Sequence, residues 1–306
     1  MVTLGYNYPI SLKGYILNIT SDCITCLLNQ SVRVAKNLNL DKPKSEKLTK
    51  IAEDVIAKYS NVTPIVVASD LYPKMSEFVG SSDIYANLKA KSTKEALKLL
   101  VDVEATLETL ENRLKGAIKA SVAGNVIDFA TPNQFDLVKE FKSVFKTPFT
   151  IDNQDEFLDR LESAKSFMIV GDNVGEHVFD KLLLQEIAIA YPDIELYYAT
   201  RGVPIINDVT TKEAKEIGLD EVATLVDSGV DTPGLDYSRA SSDFMKLYNS
   251  MDLILAKGMG NYEALDEVDD GRIYHLLKVK CEVVASSIKA NLGDLVFKVN
   301  STQSYS

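Results

Sequence analysis

Three cysteines in 306 residues are too few for a disulfide framework. There are only two histidines, His177 and His275, and neither is assigned a catalytic role. No apolar run reaches the ~20 residues that a membrane-spanning helix needs. The N-terminal stretch MVTLGYNYPISLKGY lacks the basic segment and apolar block of a secretory signal, so a cytoplasmic location is expected. Basic residues are in deficit, 33 against 44 acidic, for a net charge of −11. That balance argues against a sequence-independent nucleic-acid binder, which works by neutralising phosphates. It leaves a small anionic ligand open, because a few lysines in a cleft outweigh the global field locally. Two nucleotide signatures are also missing. The stretch Lys257-Gly258-Met259-Gly260-Asn261 lacks the Gly-Lys-Ser/Thr ending of a P-loop, and no Gly-x-Gly-x-x-Gly follows the first strand of the C-terminal half. Internal repeats, low-complexity linkers and heptads are absent too.

What is present reads as an ordinary globular chain, 46% hydrophobic and 25% charged. Its length suggests about two domains. Residues 1–150 read as all-helical. Thr20-Ser21-Asp22 caps a first helix with Leu27, Leu28, Val32, Val34 and Ala35 as its apolar stripe. Lys44–Tyr59 reads as a second helix, stopped by Asn61 and Pro64. The only strand-like stretch in this half is Ile65–Ala68. Helical patterns then run from Ser81-Ser82-Asp83 to about Leu100, over Glu104–Val122, and over Gln134–Phe145.

From 151 to 306 short apolar runs alternate with helical patterns. The runs are FMIVG at 167, ELYYAT at 195, EVATLV at 221, DLILAKG at 252, IYHLLKVK at 273 and LVFKV at 295. This alternation predicts an α/β architecture, a mainly parallel sheet with helices on its faces.

In such sheets ligands bind at the carboxyl ends of the strands. The residues that follow the runs are accordingly informative: Asp172-Asn173, Thr200-Arg201-Gly202 with Asn207-Asp208 beyond, Asp227-Ser228-Gly229, Lys257 to Asn261, and Lys278-Val279-Lys280-Cys281. Asp172, Asn173 and Asp208 supply the hard oxygen donors that suit a divalent ion. A bland alternative is an Asp-Asn turn that caps the next helix. Metal and lysine facing one oxyanion is a pattern for phosphoryl transfer. Either a water activated by the metal or Asp172 itself could serve as nucleophile. Cys23-x-x-Cys26 with the lone Cys281 could form a soft-metal or redox cluster, or be unconnected buried thiols.

Taken together, the motifs resemble the damage-control phosphatase family. They are Cys23-x-x-Cys26 with Gln30, Asp83-Ile84-Tyr85-x-x-x-Lys89, Gly124-Asn125-x-x-Asp128-Phe129 and Gly171-Asp172-Asn173-x-Gly175-Glu176. The series continues with Arg201-Gly-x-Pro204-x-x-Asn207-Asp208-x-Thr210, Lys257-Gly-x-Gly-Asn261 and Lys280-Cys281. The paired cysteines resemble the family's microbial branch. Ile84 departs from the pattern, which often has proline there. The resemblance implies a metal-dependent phosphatase acting on small phosphorylated metabolites, often damaged or side-product ones, with Mn, Co, Ni or Mg as the divalent metal. It implies a helical N-terminal domain on a Rossmann-like domain, with the site between them. It places metal ligands on Asp172, Asn173 and Asp208, and substrate contacts on Asn125, Lys257, Asn261 and Lys280. Cys23, Cys26 and Cys281 are expected to lie near one another beside that cleft. A Rossmann-like methyltransferase and a metabolite-binding protein without catalysis are the alternatives. The oligomeric state is not set by the sequence.

Overall fold

The computed structural model describes residues 17–126 and 134–300. Asp128 and Phe129 of the Gly124-Asn125 motif, and the Thr131-Pro132 break, lie outside them. Among the described residues six helices precede the first strand: α1 (Ser21–Asn37), α2 (Lys42–Ile56), α3 (Pro64–Val79), α4 (Ala86–Leu107), α5 (Arg113–Val126) and α6 (Gln134–Lys146). Then follow β1 (Phe149–Asp152), α7 (Gln154–Leu161), β2 (Ser166–Val170), α8 (Glu176–Ala190), β3 (Glu195–Thr200) and α9 (Thr211–Glu216). The chain continues through β4 (Thr224–Asp227), α10 (Ser242–Ser250), β5 (Leu253–Lys257), α11 (Gly258–Leu265), β6 (Ile273–Lys278), α12 (Glu282–Ile288) and β7 (Leu295–Val299). No described helix is long and apolar enough to cross a membrane.

The seven strands form one mixed sheet in the order β1-β7-β6-β5-β2-β3-β4. Neighbours are parallel except β7, which runs antiparallel to β6. Period-two alternation puts Phe167, Ile169, Leu253 and Leu255 on one face, in a core shared with Phe157 of α7 and with Val178 and Phe179 of α8. Met168, Val170, Ile254 and Ala256 face the other way, against Phe244 and Tyr248 of α10. The chain runs from β2 outward to β3 and β4, then returns to β5 on the other side of β2. The crevice between β2 and β5 is thus a topological switch point, where α/β sheets bind ligands.

The buried core does not divide at residue 150. Apolar residues of α4, α5 and α6, among them Leu99, Ile118 and Phe141, pack into the same cluster as the sheet. Only α1 to α3 build a core of their own, which Ile84, Tyr85 and Ile205 complete.

Several local expectations differ from the structure. Ile65–Ala68 is helical, because Pro64 starts α3 at its first turn. Val32 is 55% exposed, and the buried stripe of α1 is Leu27, Ser31, Val34 and Ala35. The run at 221 pairs only from Thr224, because Leu219–Glu221 forms a 3₁₀ turn first. Helix over Glu104–Val122 is broken between α4 and α5. β1 was not foreseen; four residues are too few for a readable alternation.

Both histidines are core residues. Burial pushes the His177 imidazole down to about 4 and that of His275 down to about 3. Each is therefore neutral in the fold, whereas an unfolded histidine takes up its proton near pH 6.5. The stability they contribute is complete above that value and is lost as pH falls from 6.5 towards 4. Between pH 7 and pH 5 each should cost about 2 kcal/mol. Unfolding midpoints at these two pH values should drop less in a His177→Gln variant than in the parent chain.

Candidate active site

Asp172 and Asn173 follow β2, and their placement is fixed by β-type pairing beyond the sheet. Asn173 forms an isolated antiparallel bridge with Asp208, and Arg201 forms a parallel one with Thr210. The Val209 amide donates to the Asp172 carbonyl at 2.9 Å, and the Val174 amide to that of Asn207 at 2.8 Å. The segment 201–210 therefore folds back along the end of β2 and brings Asp208 beside Asp172, although 35 residues of chain lie between them.

Both carboxylates are buried, Asp172 at 7% and Asp208 at 2% exposure. Asp172 Oδ2 accepts from Asn125 Nδ2 at 2.9 Å and from Asn173 Nδ2 at 2.6 Å. Asp208 Oδ2 accepts from Arg201 Nε at 2.7 Å. No described residue donates to Oδ1 of either acid. Burial, and then the charge of Asp208, raises the Asp172 carboxyl above its ordinary range. Burial raises Asp208 also, against the pull of Arg201. Two dehydrated acids side by side, each with an unengaged oxygen and with an amide between them, fit a hard divalent cation, which would relieve both pressures. Gly258 completes the cradle. It sits at φ 74°, and a Cβ there would collide with the Asp172 carboxylate.

The site opens on a cleft in two lobes. One, about 220 Å³, is lined by Cys26, Asp172, Asn173, Asp208, Glu263 and Lys280. The other, about 600 Å³, is lined by Gln30, Arg33, Tyr85, Asn125, Asn173 and Lys280 among others. Asn173, Gln30, Ile206 and Lys280 border both lobes. Lys280 Nζ donates to the Asn125 carbonyl at 2.6 Å, which holds its ammonium at the mouth. Helices α1, α3, α4 and α5 supply one wall, and the strand-end segments with the first turns of α11 supply the other.

The structure gives two of the expected substrate contacts a different set of partners. Lys257 is fully buried. Its Nζ donates to Glu176 Oε1, to Asp180 Oδ1 at 2.6 Å and to the Ser121 carbonyl at 3.4 Å. Asn261 is fully buried too. Its Nδ2 donates to the carbonyls of Gly171 and Lys257, at 3.1 and 2.7 Å, and its Oδ1 accepts from Arg201 Nη2 at 3.1 Å. Neither side chain faces the cleft. They sit beneath it, because Lys257–Asn261 is not a loop: Lys257 ends β5 and α11 begins at Gly258. Removing one partner of a buried ion pair leaves an uncompensated charge. Lys257→Met, which strands two acids, should therefore destabilise the protein by about 3–5 kcal/mol in denaturant unfolding.

Asn125 lies at the cleft and bonds Asp172 directly. The Gly124-Asn125 pair, odd in an apolar helix, has a packing reason. A Cβ at residue 124 would meet Phe179 Cδ2 at 2.8 Å and Glu176 Cα at 3.0 Å, so glycine lets α5 approach α8 closely. Lys89 pairs with neither Asp172 nor Asp208. It is buried and pairs with Asp83 at 3.1 Å and with Glu213 at 3.7 Å, which ties α4 to α9.

The three cysteines are free thiols: Cys26 is exposed, and Cys23 and Cys281 are partly so. No group of three or more His, Cys, Asp or Glu residues among the described residues is arranged to hold a metal ion. Glu263 is a cleft residue the sequence reading passed over. Burial and the nearby charge of Asp172 push its carboxyl up to about 7. Its position on the first turns of α11, two residues beyond Asn261, was the available signal. Arg201 and Glu176 stood in the motifs without an assigned role.

The sequence profile of the "damage-control phosphatase ARMT1-like domain" matches residues 19–296. A damage-control phosphatase of Pyrococcus horikoshii is 32% identical over 283 residues, which cover 92% of this chain and 97% of that protein. A damage-control phosphatase of Archaeoglobus fulgidus is 30% identical over 289 residues, 92% of this chain and 99% of that one. The crystal structure of a DUF89 family protein from Pyrococcus horikoshii superposes with a TM-score of 0.86 at 32% identity, covering 93% of this chain and 99% of that chain.

Proposed function

This chain belongs to the damage-control phosphatase ARMT1-like family, and from that premise we propose that it is a metal-dependent phosphatase hydrolysing small phosphorylated metabolites. The observation that carries the reading is the pairing of Asp172 and Asp208, two buried acids with unengaged oxygens beside the ammonium of Lys280. Asp172, Asn173 and Asp208 would hold the ion, with Mn²⁺, Co²⁺, Ni²⁺ or Mg²⁺ as candidates for an oxygen-rich site. When bound, the ion supplies Lewis-acid stabilisation to the phosphoryl group.

The chain's own residues do the rest. Arg201 anchors Asp208 through a charge-assisted bond. Asn125 and Asn173 hold Oδ2 of Asp172. Lys280, tethered to the Asn125 carbonyl, would meet the phosphoryl oxygens as a point charge. The larger lobe, lined by amides and Arg33, has room for the polar leaving group. Asn125 would contact that group as well. Lys257 and Asn261, assigned to substrate by resemblance, act in this reading from beneath, by fixing Glu176, Arg201 and the end of β2. Helices α1, α3, α4 and α5 form the roof of the site on a Rossmann-like sheet, and a cytoplasmic location suits metabolite repair.

The test is hydrolysis of an aryl phosphate by chelator-stripped protein, with each of the four metals restored in turn. Turnover is expected with at least one metal and none without. Equal hydrolysis in chelator would remove the metal from the reaction. A protein that binds phosphorylated metabolites yet turns over none with any metal would instead be a binding protein. No described feature favours a methyltransferase, since Asp172-Asn173 stands where a glycine-rich donor loop would follow β2.

A further inference from the structure

A chain of buried polar groups leads away from Asp172 into the core. Both hydrogens of the Asn125 amide are used: Nδ2 donates to Asp172 Oδ2 at 2.9 Å and to Glu176 Oε2 at 2.8 Å. The other Glu176 oxygen accepts from Lys257 Nζ. Lys257 also donates to Asp180 Oδ1, which accepts from Ser121 Oγ at 2.6 Å, and Asp180 Oδ2 accepts from the Tyr198 hydroxyl at 3.1 Å. Glu176, Asp180 and Lys257 are fully buried. The links join α5, α8, β3 and β5.

Two consequences follow from donor and acceptor counting. The Asn125 amide has one orientation that serves both neighbours, since its nitrogen carries two hydrogens and the two atoms it faces, Asp172 Oδ2 and Glu176 Oε2, are both carboxyl oxygens that accept from it. Its Oδ1 is then turned from both acids. That oxygen is buried, in a residue 4% exposed, has no hydrogen-bond partner among the described residues, and belongs to a side chain lining the cleft. An unpaired buried acceptor is costly and calls for a ligand.

We propose that Glu176 is a positioning residue, held by Lys257, which fixes the Asn125 amide so that its nitrogen braces Asp172 and its Oδ1 accepts an O–H group in the cleft. That group belongs to a substrate hydroxyl or to the attacking water. The inference rests on the reading of Asp172 as a metal-site carboxylate.

Glu176→Gln isolates the idea, because it is nearly isosteric. Lys257 requires the Gln oxygen, so the Gln nitrogen is forced against the Asn125 nitrogen. If Asn125 turns over to relieve this, a carbonyl oxygen faces Asp172 in place of a donor. The experiment is a double-mutant cycle of Glu176→Gln and Asn125→Ala, read on Mn²⁺ affinity by EPR titration, on kcat/KM for an aryl phosphate, and on the unfolding midpoint of metal-free protein. In the parent background Glu176→Gln should lower Mn²⁺ affinity and kcat/KM by about tenfold or more, the scale of a charge-assisted hydrogen bond. In the Asn125→Ala background it should change each by less than about twofold. The metal-free midpoints should show the same coupling, by about 2 °C or more.

An equal effect in both backgrounds would mean that Glu176 acts by its charge alone, and would overturn the proposal. So would no effect in the parent background. Mn²⁺ coupling without any phosphate hydrolysis would leave this inference standing while sinking the proposed function. If the metal-free arm alone responds and Mn²⁺ does not bind, the amide is fixed for structure only and the proposal fails. A polyol phosphate compared with the aryl phosphate separates the two O–H sources: a loss at Asn125→Ala confined to the polyol assigns the substrate hydroxyl, and an equal loss assigns the water.

Discussion

Asp172→Asn should abolish metal-dependent turnover, by about a thousandfold or more, while leaving metal-free protein at least as stable as the parent. The two halves of this result have one cause. Asp172 is almost fully dehydrated next to a second buried acid. Without a cation its charge is a cost to the fold, because desolvation disfavours the ionised form. An asparagine keeps the shape and removes the charge. It also removes the acidic oxygen that would bind the ion. Thermal unfolding without and with Mn²⁺ checks both halves. The parent should gain midpoint on adding metal, since a ligand that binds only the folded state stabilises it. The variant should start at or above the parent and gain little. A variant that loses midpoint without metal, or keeps its metal-dependent gain, would contradict this account of the site.

Gly258→Ala should be nearly as damaging, with a fall in kcat/KM of about a hundredfold, though residue 258 carries no functional group. Two effects combine. The backbone at φ 74° is left-handed, which costs a residue with a Cβ about 1–2 kcal/mol. The added methyl would also lie inside contact distance of Oδ2 and Cγ of Asp172. The carboxylate must move, or the start of α11 must, and either shifts the acid from Asp208. Gly293→Ala separates the effects. Gly293 has φ 91°, and a Cβ there would meet nothing within 4 Å. It should pay the backbone cost alone, lowering the unfolding midpoint a little and leaving kcat/KM unchanged. Equal activity losses in the two variants would remove the steric argument.

Much of the sheet was legible because five of its seven strands are buried runs of five or six residues, or half-buried ones, bounded by polar turns. The carboxyl-end residues were legible for the same reason, since each follows the last apolar position of its strand. Asp208 was harder, lying seven residues beyond Arg201 on no strand of its own. Its place rests on backbone pairing of 201–210 with the end of β2, which no local pattern announces.

Lysine shows the division most plainly. Lys257 and Lys280 each stand at a strand end, and both read as substrate contacts. Lys257 turns inward, because Glu176 and Asp180, one turn apart on α8, present two acids to it from the neighbouring layer. Lys280 stays at the mouth, with one carbonyl as its anchor. Asn125 belongs to a helix far along the chain from Asp172, and meets it only because Gly124 lets α5 close on α8. Residue type and strand-end position, which are local, determined the chemistry available at this edge of the sheet. Which groups face the cleft and which brace it from below depends on partners supplied by other elements. Tertiary packing alone decided that, since a buried polar side chain turns to wherever its hydrogen bonds and opposite charges lie.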